Sequence, residues 1–153
     1  MALELKDIKP DILCGVVFKE SPKFIDMRGH LRELINKILD DLCKKDDNKF
    51  KHKVMLRDGE IVVSIFKDDK KMLIVMDETT INILERNAIN FDFFDKYVPP
   101  ILDSILTFIE RKDLLVLGMM FKLDPLFISR DVDEVSVLRE RFFSLKEQDF
   151  SSL

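Results

Sequence analysis

Glycine is scarce in this chain. Its four glycines, at positions 15, 29, 59 and 118, stand far apart, so none builds a loop that could cradle a phosphate. That scarcity argues against a nucleotide-binding enzyme. Cysteine is scarcer still. Cys14 lies in an apolar run and Cys43 at the end of a helical pattern, which makes no disulfide framework and no zinc knuckle. Both read as reduced, structural thiols, and Cys14 has no neighbouring base to lower its pKa. The only histidines, His30 and His52, have no Cys, Asp or Glu at metal-ligand spacing. A G-x-S-x-G nucleophile turn is absent as well.

Long apolar runs are also missing. No stretch approaches the ~18–20 residues that a helix needs to cross a bilayer. The opening residues, MALELKDIKPD, lack the apolar segment of a secretory signal. The expected compartment is the cytoplasm, with no membrane partner.

Carboxylates are plentiful: Asp40-Asp41, Asp46-Asp47, Asp68-Asp69, Asp77-Glu78, Asp131 and Asp133. They lack the alternating ligands, glycine and terminal glutamate of a calcium loop. Nor do they match the acid-x-Lys pattern of a metal-dependent nuclease. Turns and helix caps account for most of them. No catalytic residue, metal ligand or cofactor follows, and the expected class is a non-enzymatic one.

What the sequence does contain is a well-patterned globular chain. Its 153 residues fit one domain, residues 1–153, and its mix of 46% apolar and 35% charged residues suits a soluble core rather than disorder. The net charge of -4 selects no partner.

ILCGVVF, residues 12–18, reads as a buried strand. Ser21-Pro22 then opens a helix over about residues 22–43, its apolar face set by Phe24, Met27, Leu31, Leu34, Ile35, Ile38 and Leu42. Gly29 is the soft spot where that helix could break. KVMLR, EIVVSIF and KMLIVM form a β-meander, turned by Asp58-Gly59 and by Asp68-Asp69-Lys70. TTINILER either extends the third strand or makes a fourth.

Asn90 can cap a second helix, in which Pro99-Pro100 predicts a kink or a fresh start. The run LLVLGMMF is the last long strand. Asp131 or Asp133 opens a C-terminal helix carrying Val132, Val135, Leu138 and Phe142, and residues 131–153 end in a frayed tail.

The resulting fold class is α+β: a mainly antiparallel sheet of about five strands, ordered strand-helix-β-meander-helix-strand. Two long helices pack on one face, and a C-terminal helix follows.

The strands are apolar on both sides. In EIVVSIF, Val62 and Phe66 oppose Ile61, Val63 and Ile65; in KMLIVM, Leu73 and Val75 oppose Met72, Ile74 and Met76. Helices on one face alone would leave large side chains exposed on the other. Exposed apolar patches of more than a few hundred Å² ordinarily mark interfaces.

The expected function is therefore a protein-interaction module that self-associates, most simply as a homodimer, through its sheet or C-terminal helix. Candidate contacts are Val62, Phe66, Met72, Ile74, Met76, Leu138, Phe142 and Phe143. The alternative within the chain is the C-terminal helix folding over the second face.

One segment departs from the acidic average. Lys44, Lys45, Lys49, Lys51, Lys53 and Arg57 crowd into fourteen residues, with Phe50 offering a ring for stacking. This suggests a second reading, an accessory protein that holds nucleic acid through segment 44–57.

Overall fold

The computed structural model describes residues 9–45, 50–68, 70–111 and 113–122. In chain order its elements are β1 (Asp11–Phe18), α1 (Pro22–Asp26), α2 (Arg28–Lys45), β2 (Lys51–Arg57), β3 (Glu60–Lys67), β4 (Lys70–Met76), β5 (Thr80–Arg86), α3 (Asp92–Phe108) and β6 (Leu114–Lys122). The architecture is α+β. Six strands form one antiparallel sheet in the order β2-β3-β4-β5-β1-β6. The N-terminal strand is therefore interior, and among the described residues the outermost strands are β2 and β6. The expected C-terminal helix, residues 131–153, lies outside the described residues.

Local chemistry sets the turns. Asp58 and Gly59 have φ of 51° and 83°, the paired positive values that a two-residue hairpin turn requires. A fourth meander strand, β5, is separate from β4 because Asp77 organises the reversal. Its Oδ1 accepts hydrogen bonds from the backbone amides of Thr79 and Thr80 at 2.9 and 2.8 Å, and from both threonine hydroxyls. Burial works against the ionised form of Asp77, but these four donors outweigh it and hold the carboxyl below its usual pKa.

The first helix breaks at Met27, not at Gly29. Met27 sits at φ -123° and ψ 27°, outside the helical region, and α2 restarts at Arg28. Gly29 falls in the first turn of α2, where backbone amides have no intrahelical acceptor anyway.

The expected interruption at Pro99-Pro100 does not divide α3 either, since one helix runs through both prolines. Each proline deprives the carbonyl four residues earlier, on Asp95 and Lys96, of its donor. All four residues are exposed, so the freed carbonyls can bond to water instead.

The core follows strand alternation. Ile12, Val16 and Phe18 of β1, Ile61, Val63 and Ile65 of β3, Met72, Ile74 and Met76 of β4, and Ile81 and Ile83 of β5 are buried. They join Leu31, Ile35 and Leu39 of α2 and Tyr97, Ile101 and Ile105 of α3 in one continuous cluster. Phe50 and Phe93 meet Tyr97 edge-on, with ring centroids 4.7 and 4.8 Å away.

Candidate functional site

Residues directly opposite one another in an antiparallel ladder point to the same side of the sheet. The side opposite the core is therefore readable from the register. Beginning at β2, one row runs Lys51, Phe66, Lys71, Arg86. The next runs Lys53, Ser64, Leu73, Leu84, Leu13, Met120, and a third runs Met55, Val62, Val75, Asn82, Gly15, Gly118. This open face is cationic along one border and on β2, and apolar over β4, β5, β1 and β6.

A trough of about 440 Å³ lies on the apolar part. Leu73, Val75 and Leu84 line one side, while Val116 and Met120 line the other. Gly15 and Gly118 stand opposite each other in its floor and contribute no side chain. A Cβ on Gly118 would meet nothing within 4 Å, and one on Gly15 would lie 3.5 Å from Asn82 Oδ1. Asn82 supplies the single amide side chain of the lining. Chemically this is a surface that takes apolar groups and offers one polar anchor.

The edge strand β6 is more exposed than any other strand, and none of its nine residues is buried. Leu115, Leu117 and Met120 are 59%, 65% and 64% exposed, with Val116 and Met119 close behind. Leu117 and Met119 point to the side that elsewhere holds the core, yet no helix among the described residues covers them.

The expected contact residues divide. Val62 and Phe66 do stand on the open face, half-buried and exposed respectively. Met72, Ile74 and Met76 are 0–1% exposed inside the core, so β4 offers Leu73 and Val75 to the open face in their place. KMLIVM alternates as expected, with Met72, Ile74 and Met76 turned to the core and Leu73 and Val75 to the open face. Leu138, Phe142 and Phe143 lie outside the described residues.

The basic segment also divides. Lys44 and Lys45 are exposed at the end of α2, whereas Lys51, Lys53 and Arg57 are exposed on β2 and share the open face. Lys49 lies outside the described residues. Phe50, the expected stacking ring, is 2% exposed in the core. The aromatic ring among these cations is instead Phe66, whose centroid lies 5.4 Å from Lys71 Nζ. The sequence signal for that row was parity, since Lys51, Lys53 and Arg57 alternate on one strand.

The remaining reactive groups do not converge. His30 is exposed on α2, and His52 Nε2 lies 3.2 Å from Asp40 Oδ1. Burial pushes the Cys14 thiol up, away from the thiolate a nucleophile needs. Among the described residues no group of three or more His, Cys, Asp and Glu side chains is placed to hold a metal ion. No helix among them is long and apolar enough to cross a membrane.

One buried titratable side chain lies outside the expected sites. Glu85 is 2% exposed on the buried side of β5, and its Oε2 has no hydrogen-bond partner among the described residues. Its pKa is pushed up to about 7, first by burial and further by Asp95, against the opposing charge of Lys70. Its signal was the alternation Ile81, Ile83, Glu85.

The comparisons add no relative. No family model, curated protein or solved structure gives a significant match to this chain.

Proposed function

We propose that this protein is a non-enzymatic interaction module, one α+β domain, whose activity is self-association. In this reading α2 and α3 lie on the same face of the sheet, and the open face with its β6 border is left for a second copy. The observation that carries it is β6, a nine-residue strand with Leu115, Leu117 and Met120 more than half exposed. Monomeric proteins rarely leave contiguous apolar surface of that kind in water. Cys14, buried on β1, and Cys43, on α2, form no disulfide among the described residues, which suits a reducing cytoplasm.

The test is molar mass by light scattering on the eluting chain. At high micromolar concentration a mass near twice 18.0 kDa is expected. A mass that stays at 18.0 kDa across the concentration range refutes self-association.

A second reading has its own observation. Lys51, Lys71 and Arg86 share one row of the open face with the exposed ring of Phe66, and Lys53 and Arg57 flank them on β2. Rings set among cations on a sheet surface suit single-stranded nucleic acid. Binding of a single-stranded oligonucleotide that weakens steeply as salt rises supports this reading. No binding at low salt, or binding indifferent to salt, rejects it.

A further inference from the structure

Among the described residues, the two outermost strands of the sheet differ in character. β2 carries Lys51, Lys53 and Arg57 at three of its four exposed positions, the usual way an edge strand repels another strand. β6 has no charged residue from Leu114 to Phe121. It has no proline either, and its side chains are exposed on both sides of the sheet. A ligand in the open-face trough would touch Val116, Met119 and Met120 but leave Leu117 uncovered. A strand laid alongside β6 would cover all four.

Resting on the self-association reading, we propose that the occupant of this edge is β6 of a second copy, antiparallel, on a two-fold axis at Gly118. The sequence of the strand argues for a copy of itself rather than a different partner. Gly118 is the central residue of Leu114–Lys122. Reflected about it, Leu117 meets Met119, Val116 meets Met120 and Leu115 meets Phe121, so each apolar side chain from Leu115 to Phe121 finds an apolar one, and at the two ends Leu114 meets Lys122.

Self-complementarity of this kind is what an isologous interface demands. On the helix side, Leu117 and Met119 of both copies form a four-membered cluster over the axis. On the open side the two troughs become continuous across the pair of glycines, where bare backbone lets the strands meet without a crowded centre. The six-stranded sheet becomes one of twelve strands.

The size of the contact sets its strength. A nine-residue strand is about 30 Å long, and side chains above and below the sheet make the contact roughly 20 Å deep. That buries on the order of 600 Å² per copy, at the lower bound of stable interfaces, so the dimer dissociates at micromolar concentrations.

The experiment uses the full chain and three kinds of variant. L117K places a charge on an exposed position of the edge and is expected to shift the dimer to monomer, at least tenfold in dissociation constant, with its circular dichroism unchanged. G118C places identical thiols opposite each other at the axis. Directly opposed strand residues have Cα separations of about 4.5–5.5 Å, within disulfide range. Under dissolved oxygen G118C should give a covalent dimer. L115C should not, because its two copies would stand six residues apart along the strands, about 20 Å.

A dimer that survives L117K but is lost in V75K places the contact on the open face and overturns edge pairing while leaving self-association intact. Crosslinking of L115C but not G118C overturns the register. A wild-type chain that stays monomeric overturns both edge pairing and the reading beneath it. Exchange-protected β6 amides in that monomer would assign the edge to the chain's own residues 123–153.

Discussion

Gly15 stands directly opposite Gly118 across the β1–β6 ladder, and both face the side of the sheet away from the core. The pairing joins residues more than a hundred positions apart and hollows out the floor of the trough. Neither glycine has a φ in the left-handed region, which among the glycines belongs to Gly59 alone. Their value therefore lies in the missing side chain, not in backbone freedom.

Gly118→Ala is expected to stabilise the fold. The added Cβ meets nothing within 4 Å, and replacing glycine inside a strand removes an entropic penalty of roughly 0.5–1 kcal/mol. Denaturant unfolding should show a higher midpoint with an unchanged slope. A lower midpoint would mean that something already occupies the space above Gly118.

Much of the fold was legible because strand alternation and turn chemistry are local. EIVVSIF alternates its buried Ile61, Val63 and Ile65 as its spacing predicts, and Asp58-Gly59 makes the expected hairpin. KMLIVM was harder, since large apolar residues occupy both of its sides. The deciding clue was Lys71, which shares parity with Leu73 and Val75 and so marks their side as the outward one.

Two other features could not be read locally. The apolar run LLVLGMMF resembles an interior strand, and its place at an edge depends on pairing with distant β1. Pro99-Pro100 obeys a local rule that the surrounding packing overrides. Tyr97, Val98 and Ile101 are buried on either side of the prolines and hold the helix to the core.

Ser21 offers a test of how the helices are tied together. Its hydroxyl oxygen accepts from the Phe24 amide at 3.2 Å and donates to the Ile109 carbonyl at 3.0 Å, capping α1 while fastening it to the end of α3. Arg111 reinforces the same junction by donating to the carbonyls of Lys19 and Glu20. Ser21 is fully buried, so Ser21→Ala leaves both partners without water. A loss of about 1–3 kcal/mol is expected, read as a lower denaturation midpoint. Arg111→Ala, at a more exposed position, should cost less.

Asp77 gives a narrower expectation at acid pH. A carboxyl whose folded pKa lies below its unfolded value of 3.8 lends stability above that value and loses it as pH falls through the folded one. Asp77→Ala also removes the acceptor for Thr79 and Thr80, and should lower the thermal midpoint at pH 7 more than at pH 2. Equal losses at both pH values would show that the charge on Asp77 contributes nothing to the turn.

Glu85 predicts the opposite slope. Its folded pKa of about 7 lies above the 4.5 of the unfolded chain, so the folded state holds the proton more tightly. Below pH 4.5 both states are protonated and the carboxyl imposes no ionisation penalty. As pH rises from 4.5 through 7, the unfolded state ionises freely while the buried group resists, and stability falls by up to roughly 3 kcal/mol. Glu85→Gln removes that titration. The stability of the variant relative to the wild type should therefore grow between pH 4.5 and 8 and then level off. Unfolding both chains in denaturant at a series of pH values measures the difference directly, since other titrating groups cancel. A difference independent of pH would mean that Glu85 ionises as easily in the folded chain as in the unfolded one, and that Lys70 neutralises it despite its burial.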